Sequence, residues 1–266
     1  MRNLITFLSD FGQKDGYVGS VKGKILTINS KAKIVDISHS ITRFQIQEAA
    51  YVISTYYQQF PAGTVHLAVV DPGVGSDRRS LILNTRKHTF VGPDNGLFSY
   101  IQKLEAAEAF VIKSMQTPVS NTFHARDIFG PAAALLAMGK HPNELGVKID
   151  TIITLKEQWI LCQNEIKAQV VAVDHFGTMV TNFTNQDLEK MKGYTIDSIK
   201  VGGYHSIPFH RTYGEVACDS ALALWGSTGH LEIAINRGNA AQRFNCRVGV
   251  TKVSIFITKQ GDDRKI

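Results

Sequence analysis

The sequence predicts an α/β protein in two parts. Residues 1–150 are expected to form a three-layer α/β domain around a largely parallel sheet, and residues 165–266 a small antiparallel β-barrel. Apolar runs alternate with stretches of helical periodicity over residues 4–70, which indicates β-α-β-α-β units and hence parallel strands. Periodicity is lost over residues 141–164, where we place the domain boundary. Beyond it, short strand-like runs joined by glycine-bearing turns are typical of a small barrel.

The N-terminal elements follow from this alternation of patterns. Strands are predicted at residues 4–8, 32–37 and 64–70, with helices at 17–29 and 46–57 between them. A hairpin over residues 80–92, a short helix at 97–102, a strand at 107–112 and a helix ending at Gly139 complete the domain. In the C-terminal part, only residues 186–191 have a helical pattern.

Three aspartates, Asp10, Asp36 and Asp71, come at the ends of the first three strands. A single aspartate after a strand is usually a turn former or a helix cap. Three of them at the carboxyl edge of one parallel sheet are expected to lie close together, and open α/β sheets bind ligands at that edge. The third runs into the motif DPGVGSDRR at residues 71–79, a tight turn followed by Arg78.

Two kinds of chemistry fit these residues. Aspartates with His39 and His124 could ligate a divalent metal for hydrolysis, although the spacing is not specific and no HExxH or HxH motif occurs. Alternatively, Asp71 and His124 could activate a water without metal while Arg78 holds the carboxylate ionised. Asp94 is a further candidate carboxylate. From spacing alone, a loop histidine without function is an equally good interpretation of His124.

Composition excludes several classes of function. The chain has 44% hydrophobic and 20% charged residues, and its formal charge of +6 is spread along the sequence, which argues against a nucleic-acid groove. No apolar run has membrane-spanning length and no signal peptide is recognised. The three cysteines, Cys162, Cys218 and Cys246, form no CxxC pair and are interpreted as reduced, buried thiols. We therefore expect a cytoplasmic protein.

Six motifs spread over nearly the whole chain resemble, in order, those of one family. This family is the S-adenosylmethionine hydroxide adenosyltransferases, or adenosine-forming S-adenosylmethionine hydrolases, which are relatives of the S-adenosylmethionine-dependent fluorinase and chlorinase. The motifs are SDFGQKDGYVGSVKG (9–23), VVDPGVGSDRR (69–79), GPDNGL (92–97), TFHARDIF (122–129), DHFGTMVTNF (174–183) and LEIAINRGNAA (231–241).

The resemblance implies a reaction and an assembly. Water or hydroxide would displace methionine from the ribose C5′ of S-adenosylmethionine, giving adenosine and L-methionine without a metal or organic cofactor. The protein would be a homotrimer, with each active site between the N-terminal domain of one subunit and the C-terminal domain of its neighbour. Matching the motifs assigns the catalytic triad to Asp71, Arg78 and His124.

The same matching assigns the residues that would bind the substrate. Asp10 would bind the ribose hydroxyls, Asp174 the methionine amino group, and Phe123 would also contact the substrate. The remaining residues would surround the adenine: Phe176, Thr178, Tyr213, Asn236, Arg237 and Asn239. Without the resemblance, Phe176 and Tyr213 would be interpreted as ordinary core aromatics.

Two comparisons with the family refine this expectation. Halogenases replace the triad, and fluorinases insert a loop after the stretch matching Arg79; this chain keeps the triad and a short hairpin, which favours a hydrolase.

The family usually has FGN where this chain has FGT ending at Thr178, and a hydroxyl cannot reproduce the donor and acceptor pattern of an amide. The alternatives are a halogenase, a metal-dependent hydrolase and a non-catalytic sensor of S-adenosylmethionine or a nucleoside.

Overall fold

A computed structural model describes residues 3–113, 118–156, 159–202 and 204–259 of the 266-residue chain. The chain divides into two compact units, Met1–Leu155 and Lys156–Ile266. The first is an α/β unit and the second an antiparallel, barrel-like unit, so the predicted fold class is confirmed.

The first unit is built on a seven-stranded sheet within the described residues. Its strands are β1 (Leu4–Ser9), β2 (Lys33–Ser38), β3 (Val65–Val69), β4 (Ser80–Thr85), β5 (Thr89–Pro93), β6 (Ala107–Ile112) and β7 (Gly146–Ile149). In the order β2-β1-β3-β5-β4-β6-β7, the first four strands are parallel, and the others pair antiparallel. The carboxyl ends of β1 and β3 therefore lie side by side, with Ser9 opposite Val69.

Helices cover both faces of this sheet. They are α1 (Tyr17–Ile28), α2 (Ile46–Tyr56), α3 (Ser99–Leu104), α4 (Gly130–Ala137) and α5 (Pro142–Leu145). Alternation along β1 divides the core, because Ile5 and Phe7 pack with α1 and α4 whereas Leu8 packs with α2 and α3. Each such side chain contributes roughly 1.5–3 kcal/mol when fully buried.

One glycine fixes the turn that follows β3. Gly75 has a φ of +80°, and a Cβ built there would lie 2.5 Å from the carbonyl oxygen of Asn121. Only glycine tolerates both the conformation and the close approach. The turn after Asp71 is thereby packed against the segment that leads to His124, which continues through a π-helical turn at Ala125–Phe129 into α4.

The second unit is an antiparallel barrel-like sheet. Its strands are β8 (Ile160–Cys162), β9 (Glu165–Val173), β10 (Met179–Thr184), β11 (Tyr194–Val201), β12 (Tyr204–Ile207), β13 (Ala221–Trp225), β14 (His230–Ile235) and β15 (Lys252–Lys259). They follow the order β12-β11-β15-β9-β10-β14-β13, with β8 beside β9. The chain just after β12 nearly closes the barrel, because Phe209 bridges to Ala223 on β13.

Two expectations for this unit were wrong. Besides α6 (Asn185–Lys190), a second helix forms at α7 (Ala240–Arg243), because the Asn239 side chain caps it by accepting from the Gln242 backbone N–H at 2.7 Å. Cys162 and Cys218 are exposed and Cys246 is half-buried, so the prediction of three buried thiols fails. None of the helices in the described residues has the length and hydropathy to cross a bilayer.

Candidate functional site

Asp71 and Arg78 form a bidentate pair at the carboxyl end of β3. The Nε of Arg78 lies 2.9 Å from Oδ1 and 3.1 Å from Oδ2 of Asp71, and Nη2 lies 2.6 Å from Oδ2. Both side chains are more than nine-tenths buried. Charge-assisted bonds of this geometry are strong and fix the orientation of both groups.

The guanidinium of Arg78 has no N–H left unused. Nη1 donates to the Ser80 hydroxyl at 2.9 Å and to the Arg79 carbonyl at 3.4 Å, while the second proton of Nη2 points to Nδ1 of His124 at 2.7 Å. A guanidinium can only donate hydrogen bonds, so Nδ1 of His124 accepts. The neutral imidazole therefore carries its proton on Nε2.

Burial and the neighbouring charges keep the imidazole of His124 neutral. Burial lowers its pKa below the usual value, the neighbouring Arg78 lowers it further, and the carboxylates of Asp71 and Asp127 oppose the shift. His124 is accordingly neutral at physiological pH and presents an N–H donor at Nε2.

Asp10 follows β1, beside Asp71 on the neighbouring strand end. Its Oδ2 accepts the backbone N–H of Phe44 at 2.9 Å. Burial raises the pKa of Asp10, the bond from Phe44 counteracts this, and the Asp71 carboxylate adds to the increase. Two carboxylates close together in a partly desolvated site favour a cationic ligand.

Asp10, Asp71 and His124 line a cavity of about 590 Å³ in the first unit, and Arg78 lies behind them. One wall is aromatic: Phe123 packs edge to face with both Phe11 and Tyr17, and the three ring centroids lie 5.3–6.2 Å apart. The cavity combines this apolar wall with polar and charged side chains, a composition that suits a small polar ligand. The lining residues are Asp10, Phe11, Tyr17, Arg43, Phe44, Val69, Asp71, Val74, Ser120, Thr122, Phe123, His124, Ala125 and Arg126.

Two of the aspartates expected at this edge lie elsewhere, which corrects the prediction. Asp36 lies within β2, opposite Phe7, and binds Lys22 of α1 at 2.5 Å. His39 lies 3.2 Å from this carboxylate, and its Nδ1 is 2.7 Å from the Ser9 hydroxyl, so it too is outside the cavity. Because side chains alternate along a strand, an aspartate inside β2 does not reach the edge as one beyond the strand end does.

Asp94 also belongs to a separate ion pair. It binds the guanidinium of Arg79, whose Nε lies 2.7 Å from Oδ2, and accepts the Ile153 backbone N–H at 2.8 Å. This pair joins the end of β5 to the segment after β7. It does not line the cavity, so we assign Asp94 a structural role.

A second cavity, of about 870 Å³, lies in the second unit. Its lining includes every residue of this unit that the sequence assigned to the substrate: Asp174, Phe176, Thr178, Tyr213, Asn236, Arg237 and Asn239. Phe176 is 76% exposed, although large aromatic side chains are usually buried. An exposed aromatic at a cavity mouth is available to stack on a flat ligand.

Tight backbone packing shapes this second cavity. Asp174 Oδ1 accepts the backbone N–H groups of Phe176 at 2.9 Å and Thr178 at 2.7 Å, which holds the turn between β9 and β10. Gly177, with a φ of +85°, packs directly on the Asn239 side chain, where a Cβ would overlap. The DHFGT turn and the loop before α7 are thereby locked together.

Sequence reasoning missed several lining residues. Arg43 and Phe44 belong to the loop between β2 and α2, and Phe44 is 66% exposed with a φ of +66°. Glu232 lies on β14 and lines the second cavity. Its position in LEIAIN, between two core residues, marks it as outward-facing, but the pattern does not reveal that this outward face is covered.

Among the residues that the structure describes, no three His, Cys, Asp or Glu side chains group closely enough to hold a metal ion. In the first cavity, the Asp71 carboxylate is occupied by Arg78 and Nδ1 of His124 by the same guanidinium. Two atoms that could otherwise ligate a metal ion, Oδ2 of Asp71 and Nδ1 of His124, are thus hydrogen-bonded to Arg78.

The first unit is an α/β unit with a cavity at the carboxyl edge of its parallel strands, and the second is a barrel-like unit with a cavity of its own. The chain belongs to the S-adenosylmethionine hydroxide adenosyltransferase family: the family's N-terminal domain matches residues 5–146 and its C-terminal domain residues 168–252.

Relatives agree with this membership. Proteins named (R)-S-adenosyl-L-methionine hydrolase from Thermus thermophilus and Methanocaldococcus jannaschii are each 35% identical, covering 92% and 91% of this chain and 97% and 92% of their own lengths. A fluorinase from Nocardia brasiliensis is 27% identical over 94% of this chain and 96% of its own. The solved structure of an uncharacterized conserved protein from Thermotoga maritima superposes with a TM-score of 0.83 at 32% identity, covering 95% and 99% of the two chains.

Proposed function

We propose that the protein hydrolyses S-adenosyl-L-methionine to adenosine and L-methionine. The observation that carries the proposal is the hydrogen-bonded group Asp71–Arg78–His124, since Asp71 and His124 both line the first cavity and Arg78 binds both. Family membership and the names of the relatives supply the substrate class.

The chemistry needs an aligned nucleophile and no acid. A water oxygen attacks the ribose C5′, the C5′–S bond breaks with its electron pair going to sulfur, and the sulfonium leaves as the neutral thioether of methionine. The water loses one proton to the protein and solvent, which balances the reaction. Alignment and exclusion of water therefore supply most of the acceleration.

The donors and acceptors of the triad suit this task. Oδ2 of Asp71 accepts two N–H groups of Arg78, whereas Oδ1 accepts one and keeps a free lone pair for the proton of the water. His124 presents Nε2–H as a donor to the water oxygen, which stabilises hydroxide character as the proton leaves. Asp10, which has no such ion pair with Arg78, also places negative charge near the cationic sulfonium.

We assign the remaining substrate contacts as the resemblance implies. Asp10 would bind the ribose hydroxyls and Phe123 would contact the substrate, while the second cavity would take the methionine amino group at Asp174 and the adenine beside Phe176 and Tyr213.

Each cavity holds only part of this set of residues, and the side chains of Phe44 and Phe176 are largely exposed in the single chain. Both facts are compatible with sites completed between subunits, and the resemblance implies that three subunits form the assembly. Reaction without metal and a cytoplasmic location stay predictions.

Product analysis tests the function directly. Purified protein is incubated with S-adenosylmethionine in H₂¹⁸O with chelator, with and without chloride, and products are identified by chromatography and mass spectrometry. We expect adenosine labelled at the 5′ oxygen, together with methionine. A 5′-halogenated nucleoside would show that the protein is a halogenase instead. Loss of activity in chelator would indicate a metal-dependent hydrolase. Ligand that stays bound but unchanged would indicate a non-catalytic sensor. Sedimentation measurements would test the trimer independently.

A further inference from the structure

The loop between β2 and α2 contains a backbone conformation that its residue disfavours. Residues 42–45 form a tight turn, in which the backbone N–H of Gln45 donates to the Thr42 carbonyl at 3.0 Å. Phe44 is the third residue of this turn and has a φ of +66°. Turns with a positive φ at this position favour glycine or asparagine, because a bulky side chain is strained there. Such strain persists only where the surrounding structure enforces it, and it is often found at functional sites.

This turn supplies one hydrogen bond to the first cavity. The backbone N–H of Phe44 donates to Oδ2 of Asp10 at 2.9 Å, and both residues line the cavity. An N–H bound to one carboxylate oxygen limits rotation of the group and favours its ionised form. The orientation and charge of Asp10 therefore depend on a turn that lies 34 positions further along the chain.

Glu48, in the first turn of α2, holds the start of this turn. It is 8% exposed, and its Oε2 accepts the backbone N–H of Thr42 at 3.1 Å. A glutamate at the third position of a helix commonly accepts from the backbone N–H of the residue that precedes the helix. Here that residue, Gln45, donates to Thr42 instead, and Glu48 reaches back to the first residue of the turn. Glu48 thus ties the turn to the helix that follows it.

Packing anchors both ends of this segment but not its middle. Ile41 is buried in the core beside α2, and Ile46 packs against the same cluster. The side chains of Thr42, Arg43 and Phe44, which lie between these anchors, are exposed. Hydrogen bonds rather than side-chain packing therefore have to hold the conformation of the turn.

We propose that Glu48 is a positioning residue for the substrate: it holds the 42–45 turn so that the Phe44 N–H orients the Asp10 carboxylate for the ribose. The proposal rests on the proposed function, in which Asp10 would bind the ribose hydroxyls. Hydroxyl groups donate better to an oriented, ionised carboxylate than to one that rotates freely or carries a proton. Glu48 itself is assigned no contact with the substrate, because it acts through the turn.

Loss of the Glu48 bond should raise the pKa of Asp10. Burial and the Asp71 carboxylate raise this pKa, and the N–H of Phe44 counteracts them. Because that bond favours the ionised form, a loosened turn lets the pKa rise, and binding should weaken at a higher pH on acidification. Removing the negative charge of Glu48 would by itself lower the pKa of Asp10, so a rise identifies the turn as the cause. The other charged or titratable groups around Asp10 are Tyr17, Arg43, His124 and Arg126 at the cavity, Arg78 behind it, and His39 beside Ser9.

Two substitutions of Glu48 test the proposal. Glu48→Met approximates the length of the side chain but removes the acceptor, whereas Glu48→Gln keeps a carbonyl that can accept from Thr42. The measurements are the pKa of Asp10 in an NMR titration, and kcat and KM from steady-state release of adenosine. Glu48→Met should raise the pKa of Asp10 and raise KM by roughly tenfold, with a smaller change in kcat. Glu48→Gln should restore most of both, an outcome that a role in stability alone would not produce.

Glu105 provides the matched control. It is a half-buried carboxylate just after α3 whose Oε1 accepts the Tyr57 hydroxyl at 2.9 Å. Glu105→Met should lower stability but leave the pKa of Asp10 and KM unchanged. If Glu48→Met is poorly folded, Glu48→Asp keeps the charge but shortens the reach, and it should also raise the pKa of Asp10.

The two proposals fail in different ways. A wild-type pKa of Asp10 and a wild-type KM in a folded Glu48→Met protein would overturn the role of Glu48, while hydrolysis of S-adenosylmethionine by the same preparations would leave the proposed function standing. A wild-type protein that does not hydrolyse S-adenosylmethionine would overturn the proposed function. The NMR titration would still decide whether Glu48 acts on Asp10.

Discussion

Replacing Arg78 by methionine should strongly lower turnover, because the N–H groups of this guanidinium hold Asp71 and His124 in place at the first cavity. The substitution approximates the length of the side chain but removes the contacts to Asp71, His124 and Ser80. Asp71 is left as a nearly buried carboxylate without its cation. His124 loses the donor that specifies its tautomer.

The magnitude follows from these losses. Removing one partner of a buried ion pair costs roughly 3–5 kcal/mol of stability. Loss of an oriented proton acceptor typically lowers the rate about 10²–10⁴-fold. Arg78→Met should therefore reduce kcat by about 10²-fold or more, with a smaller change in KM, because the residues assigned to bind the base and the amino acid are untouched. The pKa of His124 should rise, since Arg78 lowers it and the remaining Asp71 raises it.

The assay is steady-state release of adenosine, with thermal unfolding measured on the same samples. Arg79→Met is the matched control, because the side chain of this adjacent arginine binds Asp94 and the Thr151 carbonyl instead of Asp71 and His124. It should lower stability yet leave kcat within roughly threefold of wild type. If Arg78→Met is poorly folded, Arg78→Lys keeps the charge without the fork of donors and should still lose most of the activity.

The reasoning fails if a folded Arg78→Met or Arg78→Lys protein retains kcat within threefold of wild type. It also fails if Arg79→Met is as inactive as Arg78→Met, because stability alone would then explain both results.

Three further predictions concern titrating groups. In ¹⁵N NMR of the wild-type protein, His124 should show the Nε2–H tautomer near pH 7; an Nδ1–H signal would contradict the hydrogen-bond assignment. Because Asp71 raises the pKa of Asp10, Asp71→Asn should lower the pKa of Asp10 in an NMR titration, and an upward shift would refute their coupling. Burial lowers the pKa of His66 to about 3, and the unfolded chain has the usual value near 6.5, so its contribution to stability is complete above about pH 6.5 and is lost as the pH falls towards 3. From pH 7 to pH 5 this amounts to about 2 kcal/mol; urea unfolding should show the loss in wild type and a smaller one in His66→Phe.

Much of the first unit could be predicted because its signals are local. The order of strands and helices follows from periodicity, and Asp71 and Arg78 are close in sequence, so a single tight turn brings them together. His124 is distant in sequence, and spacing alone left a loop histidine without function as an equally good interpretation until the resemblance assigned it to the triad. The close approach of Gly75 to Asn121, which no periodic pattern encodes, holds the two segments together.

The failures have geometric causes. Asp36 was expected at the sheet edge, yet it lies two residues before the end of β2, so its side chain meets α1 rather than the cavity. Glu232 has the sequence pattern of a solvent-facing strand residue. It becomes a cavity residue because the turn containing Tyr213 covers that outward face, and such tertiary contacts leave no mark in the alternation of residues.

In both cavities, a charged group fixes the direction of a hydrogen bond. Arg78 can only donate, so His124 must accept at Nδ1 and present a donor at Nε2. Glu232, when ionised, can only accept, so the Tyr213 hydroxyl donates to it. A neutral residue in either place would allow both directions, and the groups facing the ligand would no longer have a single role. Replacing the charge by a neutral group of similar shape should therefore alter the chemistry of the cavity more than its volume.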